Sequence, residues 1–481
     1  VVHRDLLIGG IWSSPKAGNK AYEAITSPFD GRVIGEAALA SVEDVDLAIT
    51  AAEHGASIWR RTPAHERAAI LLKAASLADE RIEEMAQIIS SESGKSLLEA
   101  RGEAGRSGEI IRLAAFEGTQ LYGDSLPLDA NKGTGQEKLG FTIRQPVGIV
   151  VAISPFNYPA LLVLHKIAPA LAVGNAVVLK PSRATPMTAY ALALCFMDAG
   201  LPEGVLSVLH GSGAELGNAL VSDKRVRKIS FTGSTAIGTE ITRNAGVKKL
   251  SLELGASSPV VILKDADLQL AAEAITKGGY INAGQVCISV QRVIVDKSVL
   301  KDFLAVLKPM VDAIRVGDPS AAETEVGTLI NEKEAIRVEA SIKKAVTDGA
   351  TLITGGERSG SIIRPAIVSG VHPNAAFAQD ELFGPAISVS EAEDTKDAIR
   401  IANSTVYGLG SGVFTRDIDA AIQSAREIDS GIIHVNWTPL WRADLMPYGG
   451  LKSSGIGKEG VRSAVDEMTE TKTIILHGRP W

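Results

Sequence analysis

From residue 146 onward, short continuous apolar runs alternate with longer stretches whose apolar residues recur every three or four positions. The runs GIVVAIS, AVVLK, VLSVLH and VRKISFTG are separated by helical patterns over 158–173, 186–199 and 213–222. Strands that are apolar throughout and joined by helices predict a parallel, doubly wound sheet covered on both faces. From residue 260 the alternation resumes through VVILKDA, a helix over 267–281, VQRVIVD, a helix over 298–314, GATLITGG, AISVSEA, a helix over 395–402 and GIIHVN. A second α/β unit follows. Upstream, residues 5–40 alternate short apolar runs with turns, among them Pro28 to Gly31, and read as a small β opening. Helical spacing begins at Ser41, continues over Ala64–Ser90 and over a third run, Leu97–Tyr122, whose Arg101, Arg106 and Arg112 read as a solvated face. Residues 126–145 have the turn chemistry of a polar hairpin projecting from an α/β body, an element of assembly more often than a site.

Composition narrows the class. The 481 residues are long enough for about three modules, and 45% apolar with 22% charged residues is ordinary for a soluble α/β protein. A formal charge of -7 without a basic run argues against nucleic acid or an anionic membrane as the main partner. The most apolar stretch, 146–180, is broken by Asn157, Pro159, His165, Lys166, Pro169 and Asn175, so no clean membrane span is expected. Cys195 and Cys287 are the two cysteines, which excludes a disulfide framework and points to a reducing compartment, the cytoplasm. The sequence does not begin with Met, which leaves a removed targeting segment open.

Chemistry concentrates in residues 250–291. Glu253 stands between Leu252 and Leu254 before Gly255, a poor setting for a solvated carboxylate, and burial would raise its pKa toward that of a base acting near neutrality. Cys287 follows Ala283-Gly284-Gln285-Val286, where small residues let a substrate reach the sulfur and backbone N–H groups face a developing oxyanion. The pair suggests covalent catalysis; a paired structural Glu and an inert core Cys is the bland alternative. Three glycine patterns compete for a dinucleotide. Gly455-Ile456-Gly457-Lys458-Glu459-Gly460 is a literal G-x-G-x-x-G but follows no strand, and is set aside. Gly211-Ser212-Gly213 with Gly217, and Gly233-Ser234-Thr235-Ala236-Ile237-Gly238, each follow a strand and open a helix whose N–H groups can meet a pyrophosphate.

LELGASSP, followed 34 residues after its Glu by the Cys of GQVC, with PFNYP upstream and ELFGP downstream, resembles the aldehyde dehydrogenase superfamily from end to end. The resemblance implies NAD(P)-dependent oxidation of an aldehyde to an acid through a thioester on Cys287, with Glu253 activating water, Asn157 donating to the oxyanion and Lys166 relaying protons. It implies a dinucleotide held along Ile153, Ser154, Pro155, Lys180, Ser182, Arg183, Gly213, Gly217, Phe231, Gly233, Ser234, Ile237 and Leu254, with Glu381 and Phe383 at the nicotinamide end. Arg183 stands where NAD-selective members often carry Glu, and its planar donor fork favours NADP, with NAD as the alternative. The expected fold is that of the family: a cofactor-binding domain over 1–126 and 146–254, a catalytic domain over 255–467, and an oligomerisation element over 127–145 and 468–481 that makes the chain a homo-oligomer, dimer or tetramer.

The nearest members by resemblance act on succinic semialdehyde, lactaldehyde or, without phosphorylation, glyceraldehyde 3-phosphate. Arg442, in the Trp-flanked loop before MPYGG, and Arg106 match positions along the family's substrate tunnel, with Tyr158 and Trp441 as further substrate contacts. The phosphate-using type has a third Arg directly before the nucleophile, where this chain has Val286. Two guanidinium groups suit a carboxylate of charge -1, so a small anionic aldehyde is expected, succinic semialdehyde first. The alternative pairs Arg442 with Asp444 and leaves Arg106 in solvent. Rival classes are a Cys hydrolase or acyltransferase, which needs a His near Cys287, and a catalytically silent structural protein, which would have lost Cys287 or Glu253.

Overall fold

The computed structural model describes residues 2–16 and 21–478. Two parallel-stranded sheets carry most of them. The first runs, in spatial order, Gly455–Ile456, Lys249–Glu253, Lys228–Thr232, Ile149–Ile153, Ala176–Lys180, Leu206–Val208, Leu6–Ile8 and Ile11–Ser13. Its five inner strands are parallel, with Phe231 paired to Leu252 on one side and Ile153 on the other, and Ile153 paired to Lys180. The second sheet runs Thr351–Thr354, Ala366–Ser369, Ala386–Ala392, Val290–Asp296, Ser258–Ile262, Gly410–Phe414 and Ile432–Val435, parallel except for its first strand.

The apolar runs form inner strands because both of their faces are covered. Along Ile149–Ile153, Val150 and Ala152 pack with Leu164, Ile167, Tyr190 and Phe196 on one side. Ile149, Val151 and Ile153 pack with Ile49, Leu216 and Ile229 on the other. Each such large aliphatic or aromatic side chain withdrawn from water contributes about 1.5–3 kcal/mol. Helix Pro186–Ala199 begins on a Pro in its first turn and ends at Gly200 with φ 98°, the left-handed cap that glycine adopts without penalty.

Three expectations are corrected. The β opening divides: Leu6–Ile8 and Ile11–Ser13 extend the first sheet antiparallel to Leu206–Val208, while Tyr22–Thr26 and Val33–Ala38, joined by the Pro28–Gly31 turn, form a separate sheet with Val2–Arg4. The Ala64–Ser90 run is two helices, Ala64–Glu80 and Ile82–Ser93, broken at Arg81. The Leu97–Tyr122 run is likewise two, Leu97–Gly105 and Ser107–Glu117, broken at Arg106. Glycines at 105 and 108 weaken the helix there, and a Cβ on Gly108 would stand 2.0 Å from Asp79 Oδ1, so only glycine lets the second helix press onto Ala64–Glu80. The break matters because it turns Arg106 toward a loop more than three hundred residues away.

The polar hairpin supplies Ser125–Leu126 and Lys138–Pro146, and Thr469–His477 pairs along the whole of the second from Thr469 opposite Pro146 to His477 opposite Lys138. Leu139, Ile475 and Leu476 are exposed on this three-stranded sheet. Residues 479–481 of the expected oligomerisation element lie outside the described residues, as do 17–20 of the β opening. Among the described residues no helix is long and apolar enough to cross a membrane.

Candidate active site

Cys287 follows a turn that few sequences could form. Asn282, Ala283 and Gly284 are consecutive left-handed residues with φ 51°, 53° and 70°, and a Cβ on Gly284 would stand 2.1 Å from the carbonyl oxygen of Gly384. Left-handed non-glycine residues each cost on the order of 1 kcal/mol and persist only when their surroundings impose them. The Asn282 N–H donates to both oxygens of Glu99 at 3.0 and 3.1 Å. Asn282 Nδ2 donates to the Asn157 carbonyl at 3.0 Å. The Gln285 side chain donates to Asn282 O at 3.0 Å and accepts from Ile330 N at 2.9 Å. Asn157 Nδ2, the expected oxyanion donor, donates to the Gln285 carbonyl at 2.8 Å, which spends one of its two hydrogens and fixes the amide beside the nucleophile. Cys287 itself is half-buried. Burial, with help from the Glu253 and Glu381 carboxyls, pushes its thiol up to about 12, against the opposing pull of Tyr448 and Arg442.

Glu253 ends the strand Lys249–Glu253 and is buried, with neither carboxyl oxygen holding a hydrogen-bond partner among the described residues. Burial first, and the nearby Glu459 second, raise its pKa well above the ordinary carboxylate range, which Arg442 and Lys166 only partly offset. Both features suit a base that waits for a water molecule. Lys166, fully buried on helix Leu161–Ala172, donates to Glu459 Oε1 at 2.5 Å and to Thr232 Oγ1 at 2.7 Å. Among the described residues Lys166 makes no hydrogen bond to Glu253, the base that the resemblance has it serve. Burial opposes ionisation of Glu459, but Lys166 and Arg442 outweigh it and hold that carboxyl down at about 2. The helix bearing Lys166 is capped by Glu103, which accepts from Ala160 N at 2.9 Å and Leu161 N at 3.2 Å.

A cationic corner lies on the other side of the sulfur. Tyr448 Oη is 3.0 Å from Cys287 Sγ, and the Arg442 guanidinium stacks 3.8 Å above the Tyr448 ring. Arg442 is half-buried, with its Nε and Nη2 atoms out of solvent and without a hydrogen-bond partner among the described residues; Glu459 Oε2 is 3.8 Å from Nη2. Arg106 donates to Asp444 Oδ1 at 2.6 Å, and His165 Nε2 lies 3.3 Å from the same oxygen. Asp444 therefore belongs to Arg106 and not to Arg442, and Arg106 is not simply solvated. Tyr158 is half-buried with the Lys95 ammonium 3.6 Å above its ring, and Lys95 pairs with the buried Glu103. Trp441 is 57% exposed and meets His434 edge-on at 6.2 Å, away from the sulfur's own contacts.

Across the first sheet, the ends of Ile149–Ile153, Ala176–Lys180 and Lys228–Thr232 converge, the place where open α/β sheets take ligands. Ser154 N donates to Lys180 O at 3.2 Å, and the Ser154 hydroxyl is buried without a partner. The loop from Ser154 through Pro155 leads directly to Asn157. Lys180 Nζ is buried with one long contact, 3.4 Å to Pro181 O, and burial followed by the nearby Arg183 brings its pKa down to about 8. Ser182 accepts from Ala184 N, and Arg183 is locked to Glu23 by contacts of 2.8 and 2.9 Å. Glu23 also takes His210 Nε2 at 3.1 Å. Ser234 caps helix Thr235–Asn244 and Ser212 caps Gly213–Ser222, the helix that contains Gly217; Phe231 is buried just before the first, and Ile237 is exposed on it. Gly233 N donates to Glu253 O at 3.0 Å, and Leu254 packs so closely on Gly238 that a Cβ there would stand 2.3 Å from it. Glu381 accepts from Ala256 N at 3.0 Å, and its pKa is raised to about 7 chiefly by burial. Phe383 is held at φ 50°, with its ring edge-on to Phe156 at 5.8 Å.

The arrangement brings Cys287, Glu253, Asn157, Lys166, Arg442, Arg106 and Tyr158 around one centre and leaves Trp441 outside. Sequence reasoning missed Tyr448, Glu459 and the turn's supports Glu99 and Gln285. Glu459 lies inside the G-x-G-x-x-G set aside as a dinucleotide motif: Gly455–Ile456 pairs antiparallel with the strand ending at Glu253, and Gly460 turns the chain into a short helix, which delivers Glu459 to Lys166. The Tyr of MPYGG was the available signal for Tyr448.

Comparison with known proteins agrees with this geometry. The chain is 42% identical over 453 residues to a 3-sulfolactaldehyde dehydrogenase of Priestia aryabhattai, covering 94% of each. It is 37% identical over 476 residues to a lactaldehyde dehydrogenase of Methanococcus aeolicus, covering 98% of this chain and all of the relative. It superposes with a TM-score of 0.97, at 35% identity and over the full length of both, on the NADP-dependent glyceraldehyde-3-phosphate dehydrogenase of Bacillus halodurans in complex with NADP. The model of the aldehyde dehydrogenase family matches residues 12–474, and with the nucleophile turn, the buried carboxyl and the two sheets in place, the chain belongs to the aldehyde dehydrogenase family.

Proposed function

We propose that this enzyme oxidises a short aldehyde bearing a single anionic group to the corresponding acid, with NADP preferred over NAD. One observation carries the substrate reading: the Arg442 guanidinium has two buried nitrogens without partners among the described residues and stacks on the tyrosine whose hydroxyl touches the Cys287 sulfur. Buried unpaired donors are costly unless a ligand supplies the acceptor. Arg106 would supply the second contact from the mouth of the site, and Val286 leaves the side next to the sulfur apolar. The relatives named above act on 3-sulfolactaldehyde, lactaldehyde and glyceraldehyde 3-phosphate, which supports a three-carbon aldehyde. Of the anionic candidates we place 3-sulfolactaldehyde, with its sulfonate of charge -1, ahead of succinic semialdehyde.

The residues at the strand ends fit a dinucleotide: a buried, under-partnered ammonium on Lys180, the partnerless Ser154 hydroxyl and two serine-capped helix starts. When bound, nicotinamide supplies the hydride acceptor. Arg183 and Lys180 would face the ribose, and the contact of Arg183 with Glu23 would have to open for a 2′-phosphate. The chain's own steps follow from the geometry. As the thiolate, Cys287 Sγ attacks the carbonyl, Asn157 Nδ2 and the Cys287 N–H hold the oxygen, Arg442 and Arg106 hold the tail, and loss of the aldehyde hydrogen as hydride to that acceptor leaves a thioester on Cys287. Glu253 in its ionised form then takes a proton from water, the hydroxide adds to the thioester carbon, and the acid forms as Cys287 Sγ leaves as the thiolate.

The test is a panel of 3-sulfolactaldehyde, succinic semialdehyde, glyceraldehyde 3-phosphate, lactaldehyde and propanal, each with NADP and NAD, followed at the reduced nicotinamide band. The anionic aldehydes should show the highest kcat/KM. A preference for propanal would overturn the substrate reading, and no turnover with any aldehyde would overturn the activity.

A further inference from the structure

We propose that Asp444 sets the charge of the anion-binding corner, so that the site accepts a tail of charge -1 in preference to one of -2; this rests on the clamp reading of Arg106 and Arg442. Asp444 is an internal counter-ion placed where the substrate's own charge would go. Its Oδ1 takes the Arg106 Nη2 donor at 2.6 Å and lies 3.3 Å from His165 Nε2, and its side chain is only 12% exposed, so the carboxylate is a fixed part of the wall.

The charges around the corner can be counted. Arg106, Arg442 and Lys166 are cations, and Asp444 and Glu459 are anions. His165 is neutral near pH 7, because burial and the Arg442 charge bring its pKa down to about 4. Burial and the Glu459 charge raise the Glu253 carboxyl well above the ordinary carboxylate range, which favours its neutral form in the resting site; it ionises to act as the base and is left out of the count. Tyr158, Tyr448 and Cys287, whose pKa values burial raises, are neutral as well. Over the linked pairs Arg106–Asp444 and Arg442–Glu459–Lys166, three cations against two anions leave one positive charge, the complement of a sulfonate or carboxylate; Lys95 and Glu103 beside Tyr158 pair with each other and cancel, and Lys458 faces Glu253. A phosphate at full charge would bring a surplus anion beside Asp444, where like charges repel in a poorly screened setting.

The experiment compares wild type with Asp444→Asn, which keeps the shape and the acceptor for Arg106 and removes one negative charge. The readout is the ratio of kcat/KM for glyceraldehyde 3-phosphate to that for 3-sulfolactaldehyde at pH 7.5, with propanal as a neutral reference. The ratio should rise roughly 10- to 100-fold in the variant, the scale of one unit charge beside a bound dianion. A loss of structure would lower all three substrates together and leave the ratio unchanged, which counts against the proposal. A second arm uses wild type alone, with ethyl phosphate and ethanesulfonate as inhibitors from pH 5.5 to 7.5. Ethyl phosphate takes its second charge near pH 6, so its inhibition constant should rise about 10-fold relative to that of ethanesulfonate, which stays a monoanion. Constants that move in parallel, or a phosphate that binds better as a dianion, overturn the assignment. Anionic aldehydes that fare no better than propanal in wild type would instead sink the clamp itself.

Discussion

Arg442→Met isolates the tail anchor. Methionine reaches about as far as the arginine Nε and keeps a polarizable apolar chain beside the Tyr448 ring while removing the charge. If Nε and Nη2, both buried and unpaired, bind the tail, the loss is one charge-assisted hydrogen bond or a bidentate pair, about 1.5–3 kcal/mol, or roughly 10- to 150-fold in kcat/KM for 3-sulfolactaldehyde relative to propanal. A second consequence follows from the 3.8 Å between Arg442 Nη2 and Glu459 Oε2. At that separation the attraction is worth about 4 kcal/mol at an effective dielectric constant of 20, an upper figure for a screened pair. Glu459 would stay ionised, because Lys166 remains at 2.5 Å. Glu253 would lose a cation that now lowers its pKa, so the acid limb of kcat should move to higher pH. Folding stability should change little, since relief of two buried unsatisfied donors opposes the loss of the attraction to Glu459. Steady-state kinetics across pH 6–9 with both aldehydes, together with a thermal melt, read all three effects. A parallel fall for both aldehydes, or an acid limb that moves to lower pH, would refute the reasoning.

Cys287→Ala should abolish turnover, and Glu253→Gln should form the thioester yet release acid on the order of 10²-fold more slowly, seen as a burst of reduced cofactor in rapid mixing; near-native steady turnover by either variant contradicts the mechanism. Arg183→Glu should weaken NADP by roughly 10- to 150-fold and change NAD far less, in titrations with each dinucleotide; equal changes would remove Arg183 from cofactor selection. Burial lowers the pKa of both His165 and His210 to about 4, helped by Arg442 at His165 and against the pull of Glu23 at His210, so between there and their ordinary 6.5 the unfolded chain binds more protons and stability rises with pH. Each histidine should cost up to about 3 kcal/mol as pH falls from 6.5 to 4, and His210→Gln should flatten that slope in denaturant titrations, where an unchanged slope would count against the assignment.

The α/β alternation was legible because an inner strand of a covered parallel sheet must be apolar on both faces, a demand written residue by residue into 149–153, 176–180 and 290–296. Glu253 and Cys287 were legible for a related reason: a carboxylate between leucines and a thiol after small residues are local anomalies. Local pattern could not show where a side chain would find its partner. Whether Asp444 belonged to Arg442, two residues away, or to Arg106, 338 residues away, depended on a helix break at Arg106 and on the packing that brings the two segments together. The same limit hid Glu459, which reads as part of a glycine motif until Gly455–Ile456 joins the sheet edge and sets its carboxylate against a lysine in the core. A buried charge is stable only with its counter-ion in place, and those counter-ions are distant in sequence. The sequence by itself determined the layers and marked Glu253 and Cys287 as candidates; tertiary structure alone decided which charges face one another, and with them the pKa shifts and the proposed anion corner.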